Sequence, residues 1–350
     1  MLIALQGRQW ATLGPDTPLE ERLDATKMVV RLARDLGNKE VQYLAQFLLV
    51  IGLMERGDLR AADEAVMSAQ QLAEDLRMPG FLPWVTAYRG MRASLAGRYE
   101  ESDMLTAQAL EQAIGLQLDP EVTMMIIGGQ MVTQQVSRTR MPEMVAVLKT
   151  MADENPHHPV IRCTVALFGV REGQFEEARA AIDHLAKDDF ASIPRDGNWL
   201  MSMWCLGVAA AALRDTARAA VLYERLLPFS DRWARSSTSI SFGPVATALG
   251  MIATALKRFD EAESHLRSAM KATDEQQTVS LHMLAQREFA AMLYVRNGPG
   301  DNDAAVEVLD DVIERAKGLH TPVLEASAAS LKARALARTP GGRKRKPSGR

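Results

Sequence analysis

The residues that could do chemistry are scattered along the chain, and their spacing limits what they can do. His157 and His158 stand side by side in ENPHHPV. Adjacent side chains between prolines point in different directions, and no Cys, Asp or Glu three or four residues away completes a ligand face. A solvated turn is expected there. His184, His265, His282 and His320 are single residues on predicted helices. Without a base paired to a nucleophile they make no catalytic triad. Cys163 and Cys205 each sit in an apolar helical pattern, away from CxxC or His/Cys metal spacing, which predicts buried free thiols. Glu100, Glu101, Glu176, Glu177, Asp260 and Glu261 fall at equivalent places just after a predicted turn. There, negative charge complements the start of a helix. No GxxxxGK[ST] loop cradles a phosphate. The expectation is a protein that is not an enzyme and takes no metal or cofactor.

Trp84, Trp199, Trp204 and Trp233 could stack on a ligand, although an aromatic at helical spacing more often belongs to a core. The run Arg343-Lys344-Arg345-Lys346 could bind nucleic acid or anionic lipid. After Pro340-Gly341-Gly342 it reads instead as a disordered, solubilising basic tail over 339–350. With those charges set aside, the body is more acidic than the net charge of −3. An acidic body does not suit duplex nucleic acid, whose phosphates need clustered Lys and Arg. No stretch approaches ~20 uninterrupted apolar residues, and MLIALQGRQW lacks a basic n-region, so neither a membrane span nor a signal peptide is expected and the location predicted is cytoplasmic.

The elements that carry these residues repeat. In KRFDEAESHLRSAM (257–270) an aromatic stands two residues after a break, a small residue follows at +5, and apolar residues return at +9 and +12. Counted from the break, the same layout recurs at Gly57, Gly97, Thr139 (weakly), Gly173, Arg214, Lys257 and Gly300. Upstream of the breaks runs another apolar-periodic helix, with a small residue seven before four of them, at Gly90, Ala166, Gly207 and Gly250. Two helices can pack closely at such positions. Ala and Leu dominate and aromatics are only 5%, which favours helix over sheet. The predicted fold is all-α, a right-handed superhelix of about fourteen to sixteen helices in stacked, TPR-like hairpins of about 40 residues, with no sheet. Thr17-Pro18-Leu19-Glu20 and Thr321-Pro322 read as helix starts, as does Asp119-Pro120, and Pro228 as a stop near Leu226. The organisation expected is a truncated hairpin over 1–36, repeats over 37–186, a loop over 187–198 that marks a boundary, and repeats with a capping helix over 199–338.

A small residue, then an aromatic, then Ala and an apolar pair resemble the tetratricopeptide repeat, best matched by Leu249, Gly250, Phe259, Ala262, Leu266 and Ala269. The long intervals and the closing segment, LGMIATALKRFDEAESHLRSAM and onward, are similar to the repeat arms of large bacterial signalling ATPases. These are the maltose-activator and LuxR-related regulators, and the arms attached to adenylate cyclase or AAA-type ATPase domains. The resemblance implies a scaffold in transcriptional or cyclic-nucleotide signalling, with a protein or peptide partner or a separate ATPase or DNA-binding module. The alternative it implies is a small-ligand sensor arm. Neither an ATPase core nor a terminal helix-turn-helix accompanies the arm. In arrays of this type the first helix of each hairpin faces the concave side, which places Phe47, Met54, Trp84, Met91, Met201, Met251 and Tyr294 in a partner-binding groove. Methionine supplies 19 residues and suits an adaptable apolar surface. The competing reading makes these side chains fill gaps between hairpins, or lets the superhelix close on itself.

Overall fold

A computed structural model describes residues 2–119, 123 and 127–338; the predicted basic tail and part of the Asp119-Pro120 helix start lie outside them. The described residues form seventeen α-helices and one two-stranded sheet. Helices α1 (Leu2–Ala11) and α2 (Leu19–Asp35) make the first hairpin, followed by α3 (Lys39–Arg56) against α4 (Leu59–Asp75) and α5 (Leu82–Leu95) against α6 (Tyr99–Gly115). Next come α7 (Gly129–Gln135) and α8 (Pro142–Glu154), α9 (Pro159–Glu172) against α10 (Phe175–Leu185), and α11 (Trp199–Ala212) against α12 (Thr216–Leu226). The array ends with α13 (Val245–Ala255) against α14 (Phe259–Glu275), α15 (Val279–Arg296) against α16 (Asp301–Gly318), and α17 (Pro322–Leu336). The molecule is an all-α superhelix of stacked hairpins.

The two helices of a hairpin differ for a physical reason. First helices are wedged between neighbours and are apolar nearly all round: every residue of α11 from Trp199 to Ala210 is buried. Second helices bury one stripe, as α14 does with Ala262, Leu266, Ala269 and Thr273, and turn charge to solvent. The small position at +5 from each break is sealed: Ala62, Ser102, Ala178, Ala219, Ala262 and Ala305 all have no exposure. At the weak copy the buried residues are Val145 and Ala152, so its break is Arg140, one residue later than Thr139.

The breaks themselves are left-handed caps. Gly57, Gly97, Gly173, Arg214, Lys257 and Gly300 all have positive φ. At Gly57 the next amide, on Asp58, donates to the Leu53 carbonyl at 2.9 Å while that of Gly57 reaches Met54 O at 3.1 Å. These bonds satisfy carbonyls that the helix end would otherwise leave bare. The same pair recurs at Gly97–Arg98, Arg214–Asp215 and Lys257–Arg258.

The expectation of no sheet is overturned between α12 and α13, where β1 (Trp233–Ser236) pairs antiparallel with β2 (Ile240–Pro244). Pro228 does stop α12 at Leu226, through a short 3-10 turn. The hairpin runs inside the superhelix, touching α3, α5, α7 and α11. A side chain at Gly57 would collide with the Trp233 indole, whose Nε1 stands 2.3 Å from the position a Cβ would take. Behind Trp233, the buried carboxylate of Glu55 meets Arg22 at 2.5 Å, Arg232 at 2.9 Å and Arg235 at 3.4 Å. Burial pushes the Glu55 carboxyl up, but Arg235, Arg22 and Arg232 together hold it below its ordinary value.

The superhelix closes on itself. The Leu59 amide donates to Gln276 Oε1 at 2.9 Å, Ser280 Oγ to Leu95 O at 3.3 Å, and the Leu324 amide to Ser137 O at 3.3 Å. Leu281 of α15 packs against the core of α3 to α5. A continuous apolar core extends from Met141 to Leu331, taking in Phe190 and Ile193 of the 187–198 loop.

Candidate interaction cleft

Closure turns the concave face into an interior cleft of about 800 Å³. On four first helices the residue that follows the small position lines it: Met91 on α5, Leu167 on α9, Val208 on α11 and Met251 on α13. Gln134 takes that place on α7 once the break is moved to Arg140. The small residues bring the helices close enough for this. A Cβ on Gly250 would lie 2.4 Å from Leu266 Cγ, and one on Gly207 2.7 Å from Ile252 Cδ1.

Of the seven predicted groove residues, Met91 and Met251 stand in the cleft and five do not. Met54 and Met201 are core, 1% and 4% exposed. Phe47 stacks on Trp10 at 6.2 Å. Trp84 packs against the cluster of Ala87, Ala109 and Ile127. Tyr294 lies under the Arg338 guanidinium at 3.8 Å. On α15 the cleft is lined instead by Ser280, Leu281, Leu284, Arg287 and Glu288, more than one turn before Tyr294, and the helix ends at a left-handed Asn297, three residues before Gly300. Among the tryptophans, Trp204 lines the cleft and tilts against Phe242 at 5.3 Å. Trp233 serves the hairpin and Trp199 packs edge-on against Phe229.

The sequence reading missed the charged groups of the cleft, Arg140, Arg171, Arg287 and Glu288. Arg171 lies 3.1 Å from Glu172, whose side chain is wholly buried and which also meets Arg140 at 3.1 Å. Burial lowers the Arg171 guanidinium, opposed by its bond to Glu172. Across the cleft wall Arg287 pairs with Glu288 at 2.6 Å. Arg171 Nη2 and Arg287 Nε are buried and donate to no acceptor among the described residues. An Arg-Glu dipeptide near the centre or end of two first helices was the available signal.

The titratable residues singled out first do not gather. His157 and His158 are exposed in a turn, and no group of three or more His, Cys, Asp or Glu that could hold a metal occurs among the described residues. His265 has a partner after all: the Tyr223 hydroxyl donates to Glu261 Oε2 at 2.8 Å and lies 3.0 Å from His265 Nε2. That network ties α12 to α14. Cys163 and Cys205 are free and buried, with burial pushing the Cys163 thiol up to about 12. No described helix is long and apolar enough to cross a membrane.

Residues 245–339, about a quarter of the chain, match the family of the Suppressor of spindle checkpoint defect 1 C-terminal domain. No curated protein matches the chain. The match corrects the resemblance to bacterial signalling ATPase arms, since it covers the very segment on which that resemblance rested. Small, aromatic and Ala positions at this spacing are what close packing of helical hairpins demands, and so they report the architecture without the lineage. A helical repeat of this kind points to a protein-interaction role.

Proposed function

We propose that the protein is a non-catalytic, cytoplasmic interaction scaffold that takes a short peptide segment of a partner protein into its central cleft. The carrying observation is the cleft itself: about 800 Å³, walled by Met91, Leu167, Val208 and Met251, with guanidinium nitrogens of Arg171 and Arg287 left unpartnered. A short segment pairing apolar side chains with a carboxylate suits both the thioethers and the arginines. Buried reduced thiols agree with the compartment.

The test is selection from a library of short displayed peptides on the intact chain, repeated on Met251→Glu. Met251 is only partly buried, so this variant should melt near the parent temperature while losing the enriched peptides, which should combine apolar residues with Asp or Glu. Enrichment that survives Met251→Glu would end the proposal. The volume also lies within the roughly 300–1,000 Å³ of small-molecule sites, which keeps a ligand sensor as the second reading. Saturable quenching of Trp204 by a small molecule, with no peptide selected, would favour it.

A further inference from the structure

A second, smaller pocket lies apart from the cleft, between α1, α2 and α3, and encloses about 140 Å³. Its walls carry two side chains that are each only 7% exposed, Gln9 and Arg22. Both amide atoms of Gln9, Nε2 and Oε1, are buried without a hydrogen-bond partner among the described residues. So is Nε of Arg22, although its other nitrogens reach Leu13 O at 3.3 Å and Glu55 at 2.5 Å. Buried polar atoms are nearly always satisfied, and each one left bare costs stability. Two of the three, Gln9 Nε2 and Arg22 Nε, are donors at one pocket, which a bound acceptor completes, while the Gln9 carbonyl is left to water.

Charge, shape and size narrow its chemistry. Arg22, Arg232 and Arg235 share a single carboxylate, Glu55, so positive charge is in excess behind the pocket even with Asp196 acting on Arg235. An anion suits that excess. The wall also carries Leu13, Leu23, Val29 and Leu48, so part of it is aliphatic. A cavity of ~150 Å³ accommodates benzene, which sets a size of about six heavy atoms. Arg8 and Glu21 pair at 3.8 Å where the pocket meets solvent, an exposed rim that a small molecule can pass.

We propose that this pocket binds a short-chain carboxylate of butyrate size, its carboxylate held by Arg22 and the Gln9 amide and its chain among Leu13, Leu23, Val29 and Leu48. Neither the cleft nor its partner enters this site. The experiment is calorimetric titration of the intact chain with sodium butyrate, at ionic strength matched by sodium chloride, beside the neutral isostere butyramide. Saturable heat with butyrate and none with butyramide is expected. Gln9→Met keeps the volume, removes the amide, and should weaken butyrate by about tenfold or more while melting at or above the parent temperature. The absence of saturable butyrate heat, butyramide binding as tightly as butyrate, or an undiminished response in Gln9→Met would each overturn the assignment; the first would leave ordered water as the occupant.

Discussion

At Lys257 and Gly250, seven residues apart, the same spacing rule gives opposite mutational consequences. Lys257 is exposed and has φ +60°, a conformation that costs an L-residue about 1–2 kcal/mol and that glycine adopts freely. Lys257→Gly should therefore stabilise the fold by about 0.5–1 kcal/mol once the extra freedom of the unfolded chain is discounted. Gly250→Leu should cost about 1–3 kcal/mol or more, because its first added atom already meets Leu266. Denaturant melts of the two variants check the pair, and shifts of the same sign would contradict the register. These positions were legible because a left-handed cap and a close helix contact each admit few residue types. Thr139 and Gly300 misled for the same reason in reverse: a turn one residue later, or three residues longer, leaves nearby residues of acceptable type in the wrong place.

At the scale of elements, the helices announced themselves through periodicity, while the β1–β2 hairpin did not. Its stretch, WARSSTSISFGP, alternates apolar and polar residues only over Ile240, Ser241 and Phe242, too short a run to stand against a helical background. What holds it is tertiary, the contact of Trp233 with Gly57 and the pairing of Arg232 and Arg235 with Glu55, which no local pattern reveals. Removing one partner of a buried ion pair typically costs about 3–5 kcal/mol. Glu55→Gln, which takes from three guanidiniums the carboxylate they share, should reach that range. The carboxyl is held below its ordinary value near 4.5, so the unfolded chain takes up the proton at higher pH than the folded one. Its stabilisation is complete above that ordinary value and fades as pH falls through the depressed folded one. The melting difference between the parent and Glu55→Gln should thus be large at pH 7 and shrink in acid below about pH 4.5. A difference independent of pH would remove the ion pair from the account of the hairpin.

For the whole molecule, the decisive fact is closure, which the sequence offered as a competing reading without locating its contacts. The contacts that close the superhelix join Leu59 to Gln276 and Leu95 to Ser280, ordinary residues far apart in sequence and unmarked by spacing. Closure also changes how the chain should unfold. In an open array each hairpin touches only its neighbours, so a weakened contact loosens its own repeat and those beside it. Here Leu281 on α15 packs against the core of α3 to α5 and near Gly243 of the hairpin, so two distant stretches share one seam. Leu281→Ala should lower amide protection in α3–α5 and in α14–α16 together, leaving α9 and α10 protected. Hydrogen exchange of the intact chain measures this directly. Loss confined to α14–α16 would mean that the seam carries little energy and that the molecule opens as a solenoid. Loss in both stretches would show that the cleft walls are held by closure.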